Sequence, residues 1–149
     1  MPVTSRYDAT ENRYVREDTL ALTERTLRTR VTLAQLNAGF TLLPAVPGFI
    51  YSLIDAMLIA VGGAATTDTS VNIIGTRAAA PVQLVVVAIA ALTQSAAVRA
   101  GATNAVILAD GASFTPLDVN TPITVITVGS AMTVMTNIDV TLEYVILPA

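Results

Sequence analysis

The clearest alternation in the chain lies near its C-terminal end. There Ile138, Val140, Leu142, Tyr144 and Ile146 interleave with Asp139, Thr141, Glu143 and Val145. A period of two predicts a strand with one face on a core and one wetter face. The same period opens at Thr26, with Leu27, Val31 and Leu33 on one side and Arg28, Arg30 and Thr32 on the other. The stretch LAQLNAG, residues 33–39, predicts a short helical turn stopped by glycine. Pro44 and Pro47-Gly48 then punctuate a connector. Residues 49–61 (FIYSLIDAMLIAV) are β-branched and aromatic enough for a strand. Phe49, Tyr51, Leu53, Met57, Ile59 and Val61 fall on one face, and Ile50, Ile54 and Leu58 on the other. Both faces are apolar, which predicts burial on both sides.

Gly62-Gly63 ends this strand and residues 64–70 (AATTDTS) read as a loop. Residues 71–74 and 82–90 predict two more strands, separated by a break near Gly75 and Pro81. Residues 90–101 are rich in alanine and predict a short helix or a loop, with Arg99 in its last turn and Gly101 beyond it. Asp110-Gly111, between residues 105–109 and 112–114, has the chemistry of a type I′ hairpin turn. Gly129-Ser130 separates ITVITV (123–128) from AMTVMT (131–136) and predicts a second hairpin. Short strands at roughly ten-residue spacing predict an all-β fold, a jelly-roll-like antiparallel β-sandwich. The expected division is an extended, charged N-terminal arm over residues 1–25 and a sandwich body over residues 26–149. No repeat of fixed period is apparent.

Charge sharpens that division. Residues 1–30 hold six of the eight cationic side chains, all arginine, and five of the eleven acids. Residues 1–18 show no sustained apolar period, and such a composition would stay mobile unless something held it. Arginine forks interleaved with tyrosines suit bidentate and stacking contacts with a partner. Arg6, Tyr7, Arg13, Tyr14, Arg16, Arg25, Arg28 and Arg30 are therefore the expected partner-binding set, contacting neighbouring subunits. The body is the opposite material. The whole chain is 53% hydrophobic and only 13% charged, about half the usual charged share. So little charge predicts that much of the surface is buried against other chains.

Several chemistries are excluded by residue types the chain lacks. It has no cysteine, histidine, tryptophan or lysine. Without cysteine there is no disulfide framework or thiolate metal site. The serines have no histidine or lysine to act as base, so nucleophilic catalysis lacks its partner group. No glycine-rich loop has the strand–loop–helix setting of a phosphate cradle. Asp68, Asp110 and Asp118 fall in loops but not at calcium-loop spacing. A carboxylate pair is the one catalytic device left, yet Asp55, Asp68, Asp110, Asp118, Asp139 and Glu143 do not cluster in sequence. No enzyme activity, cofactor or metal is expected. A net charge of −3 argues against general affinity for nucleic acid. The longest apolar runs are too short or interrupted for a spanning helix, and residues 1–8 lack a secretory h-region. A chain made in a cytoplasm, with no membrane partner, is expected. Asp55 lies inside an apolar strand and needs a cation. Either an arginine reaches it across a subunit contact, or it lies at a sheet edge or beside Arg77 or Arg99 of its own chain.

Residues 33–48 (LAQLNAGFTLLPAVPG), 61–76 (VGGAATTDTSVNIIGT), 100–116 (AGATNAVILADGASFTP) and 129–146 (GSAMTVMTNIDVTLEYVI) complete the picture. Through them the body resembles the head-decoration, or cement, proteins of tailed bacteriophages. That resemblance implies a jelly-roll-like sandwich, often a homotrimer, seated on the capsid surface of a virion. There it would clamp subunits of the major capsid protein against the pressure of packaged DNA. It carries over no individual site residue. The alternative expectation is a fibre or receptor-binding module recognising a host glycan or surface protein.

Overall fold

The computed structural model describes residues 24–100 and 116–149, together with the strand backbones of 5–8, 13–16 and 105–107. The N-terminal elements are β1 (Ser5–Asp8), β2 (Arg13–Arg16), β3 (Arg25–Thr32), α1 (Leu33–Ala38), β4 (Phe40–Leu43) and β5 (Phe49–Val61). They are followed by β6 (Ala65–Thr66), β7 (Ser70–Arg77), β8 (Ala80–Ala88) and a 3₁₀ turn at Ile89–Ala91. The C-terminal elements are β9 (Ala97–Arg99), β10 (Ala105–Ile107), β11 (Ile123–Val128), β12 (Thr133–Val134) and β13 (Asn137–Pro148).

The fold is an all-β sandwich. One sheet has the strand order β3-β13-β5-β9, the other β10-β8-β7-β11-β4, and every pairing within them is antiparallel. A single core fills the space between, with Leu58, Ile138 and Leu142 of the first sheet meeting Val71, Ile73, Val87 and Val125 of the second. All of these are fully buried. The axis of the first sheet is the β5–β13 ladder, which runs from Asn137 opposite Val61 to Pro148 opposite Phe49. Between the sheets' ends, α1 closes one corner. Thr32 caps it: its Oγ1 accepts from the Gln35 N–H at 3.3 Å and the Gln35 Oε1 accepts from the Thr32 N–H at 2.9 Å. Asn37 then ties α1 to the segment before β12, accepting from the Met132 N–H at 2.9 Å and donating to the Met132 carbonyl at 3.1 Å.

Several expectations change. The β5 strand has the expected limits, but a bulge sets Glu143 opposite Asp55 and Tyr144 opposite Leu53, leaving Ile54 as the extra residue. The facing pattern therefore reverses at Ile54. Tyr51 and then Ala56, Leu58 and Ala60 are buried, while Met57 and Ile59 turn to the outer side and Ile54 is 49% exposed. Gly129-Ser130 is not a hairpin turn, because β11 pairs with β4 and β7 whereas β12 pairs with β6. The expected loop at 64–70 holds β6, and β7 runs straight through Gly75. The stretch 90–101 contains the end of the 3₁₀ turn and β9, an edge strand on β5. Finally, the arm contains regular structure, since β1 and β2 form a two-stranded antiparallel ladder of their own. The Asp110-Gly111 turn lies outside the described residues.

Candidate functional site

The outer face of the β3-β13-β5-β9 sheet gathers most of the body's charge. Strand alternation explains how. Buried Val31 on β3 and buried Ile138, Val140 and Leu142 on β13 fix the inward positions. Arg28 and Arg30, with Asp139, Thr141 and Glu143, must then point outward. The bulge at Ile54 brings Asp55 and Met57 of β5 onto the same side, and Arg99 stands beside Met57 on β9. Across the sheet, Arg28, Thr141, Met57 and Arg99 form one row. The next row towards one end is Thr26, Glu143 and Asp55, and towards the other Arg30, Asp139 and Ile59. Three arginines thus face three carboxylates.

Two ion pairs organise them. Arg30 meets Asp139 through Nε–Oδ1 at 2.6 Å and Nη2–Oδ2 at 2.7 Å, a two-pronged pair between directly opposed residues. The hydrogen bond to Asp139 raises the Arg30 pKa, and its counterpart holds the Asp139 carboxyl below the usual carboxylate range. Arg99 donates from Nη2 to Asp55 Oδ2, while Asp55 Oδ1 accepts from the Ala56 N–H at 2.8 Å. The Arg99 pKa is raised by that bond first, by the Asp55 charge next, and by the charge of Glu143. Arg99 of the same chain is therefore the cation Asp55 requires. Among the described residues, Arg28 and Glu143 make no hydrogen bond or ion pair. They share a shallow depression of about 230 Å³ with Asp55, Met57, Arg99 and Thr141. That volume is smaller than the several hundred Å³ of ligand clefts, and its floor is a sheet surface, which suits a protein contact better than a small molecule.

The opposite outer face is different in kind. On the β10-β8-β7-β11-β4 sheet, register with buried Val71, Ile73, Val85, Val87 and Val125 turns Ile74, Val86, Ile126 and Val128 outward. Between them lie Ser70 and Asn72, both buried, with the Ser70 hydroxyl donating to Asn72 Oδ1 at 2.8 Å. No charged side chain stands among these outward positions of β7, β8 and β11 before Arg77.

Of the residues expected to bind a partner, Arg28 and Arg30 share the charged face. Arg25 does not: it falls on the inward side of β3 with Leu27, near Tyr51, and its Nε is buried without a hydrogen-bond partner. Arg6, Tyr7, Arg13, Tyr14 and Arg16 lie on β1 and β2, where the backbone register sets Tyr7 opposite Tyr14 and Asp8 opposite Arg13. Sequence reasoning offered Arg99 as one possible partner of Asp55 but missed the contributions of Asp139 and Glu143 to this face. The alternation of residues 138–146 contained the signal for these two, since it assigns Asp139, Thr141 and Glu143 to one wet face. Among the described residues no three metal-ligating side chains come together, and no helix is long and apolar enough to cross a membrane. No known protein family, curated protein or solved structure matches the chain.

Proposed function

We propose that this protein is a structural component of a virion, a self-associating jelly-roll-like sandwich that decorates or cements a phage capsid. One observation carries the reading: the two outer sheet faces are of opposite character, and both suit protein contact. The apolar face offers exposed Val128 beside half-buried Ile74, Val86 and Ile126. The charged face offers balanced ion pairs that set register without adding net charge. The N-terminal arm then laces onto neighbouring subunits, wrapping more surface than a rigid body of this size could reach. The capsid as partner rests on the resemblance of the body segments to cement proteins.

The test is co-sedimentation of the full chain with shells of the major capsid protein from its own genome, alongside its mass in solution. A self-associated particle that sediments with shells, and binds them less when residues 1–24 are removed, is the expected result. A full chain that stays monomeric and ignores the shells would refute the proposal.

A further inference from the structure

On the charged face one cation and one anion make no hydrogen bond or ion pair among the described residues, although the Glu143 charge also acts on Arg99. Arg30 is used by Asp139 and Arg99 by Asp55. Arg28 and Glu143 have no such bond among the described residues, although both line one depression and lie in adjacent rows of neighbouring strands. Thr141 stands opposite Arg28 and Thr26 opposite Glu143, so the two charges are diagonal neighbours, about 8 Å apart at Cα. Long side chains can reach across such a diagonal, yet no bond joins these two in the structure.

A face with equal numbers of both charges, and one member of each sign that bonds to no protein group among the described residues, is complementary to itself. We infer that this face is a two-fold contact between copies of the chain, in which Arg28 of each copy pairs with Glu143 of the other. This deepens the assembly reading above and rests on it. In a two-fold contact, if one residue meets a second, the second meets the first on the other side. The positions of the remaining charges fit that operation. Take strands about 4.8 Å apart with about 6.8 Å between alternate residues. A two-fold axis in the plane of the face, placed to set Arg28 over the second copy's Glu143, passes close to Thr141. The same axis carries Asp55 to within about 3 Å of the second copy's Arg30 in projection. Asp139 falls about 4 Å from the second copy's Asp55, but each of these carboxylates already carries an arginine of its own chain. Like charges are not stacked on this lattice at Arg28, Arg30 or Glu143. The occupant is therefore a second copy rather than a uniformly acidic or basic partner, which would meet three of the six charges with its own sign.

The experiment uses charge reversal in the full chain, read by sedimentation velocity at low salt, with circular dichroism and thermal melting to check the fold. Arg28→Glu and Glu143→Arg are made singly, together, and mixed as two separately purified single variants. Each single variant should weaken the two-fold step by at least about tenfold and halve the particle mass, because two like-charge contacts replace two ion pairs. The double variant should recover the wild-type mass. So should the mixture, since each reversed side chain then meets a side chain of opposite sign on the other chain. Recovery on mixing cannot come from contacts within one chain. Singles that keep the wild-type mass would overturn the inference while leaving assembly through another face intact. Loss of mass without recovery on mixing would overturn it as well. A wild-type chain that is monomeric at every concentration would remove this inference and the assembly reading together.

Discussion

The Arg30 guanidinium and the Asp139 carboxylate lie face to face across the β3–β13 ladder, joined by parallel bonds of 2.6 and 2.7 Å. This geometry gives the sheet one acid-sensitive contribution, a modest one because the pair is partly exposed. Asp139 is held below the usual carboxylate range because Arg30 donates hydrogen bonds to its charged form. The unfolded chain therefore takes up this proton at a higher pH than the folded one. The contribution is fully present above the ordinary value of about 3.9 and is lost as pH falls through the lower folded value. Urea midpoints measured from pH 6 to pH 2 should fall less steeply for Asp139→Asn than for the wild-type chain. The difference should shrink in high salt, because both side chains are partly exposed. Equal slopes for the two proteins would mean that the pair contributes nothing to the acid limb.

Asp118 clasps the β7–β8 hairpin at its tip. Its Oδ1 accepts from the Ala78 N–H at 3.0 Å and its Oδ2 from the Ala79 N–H at 2.8 Å. Those two alanines have φ of 52° and 58°, the left-handed conformation that Asn-Gly turns adopt readily and alanine does not. The carboxylate thus offsets strain in a turn built from unsuited residues. Asp118→Ala should cost about 1–3 kcal/mol. Ala78→Asn with Ala79→Gly should gain about 1–2 kcal/mol. In that relaxed turn, Asp118→Ala should cost less than in the wild-type chain, a coupling that denaturation of the four proteins would measure. Strict additivity would show that clasp and strain are independent.

How much of this was legible depends on the distance over which each feature is decided. The limits of β5, the strand at Thr26 and the turn closed by Gly39 follow from local alternation and local stop signals, and they stand as read. The bulge at Ile54 does not, because it is set by where β13 registers, some ninety residues later in the chain. Gly129-Ser130 has hairpin chemistry, yet a turn signal cannot say whether the next strand folds back or crosses to other partners. Ala78-Ala79 carries no turn signal at all; Asp118, from far along the chain, supplies what the dipeptide lacks. For the candidate site, outward Arg28 and Arg30 were visible from periodicity. The pairing of Arg30 with Asp139 of β13 was not, since it requires knowing that β3 lies beside β13.

Leu58 and Ile54 are close on the same strand and should respond differently to truncation. Leu58 is fully buried in the core, whereas Ile54 sits in the bulge at 49% exposure, adjoining Asp55 on the charged face. Leu58→Ala removes contacts from both sheets and leaves a cavity, so it should cost about 2–5 kcal/mol of stability. Ile54→Ser gives up only the covered half of the side chain, so it should cost about 1 kcal/mol, well below Leu58→Ala. Its further effect should appear in association. If the charged face joins two copies, covering the exposed half of Ile54 contributes about 1 kcal/mol, a factor of about five in the dissociation constant. Thermal melts below the association range, paired with sedimentation above it, separate the two responses. An Ile54→Ser protein that melts as early as Leu58→Ala would place this side chain in the core. One that associates like wild type would place it outside the contact, and the bulge would then serve only to rephase β5.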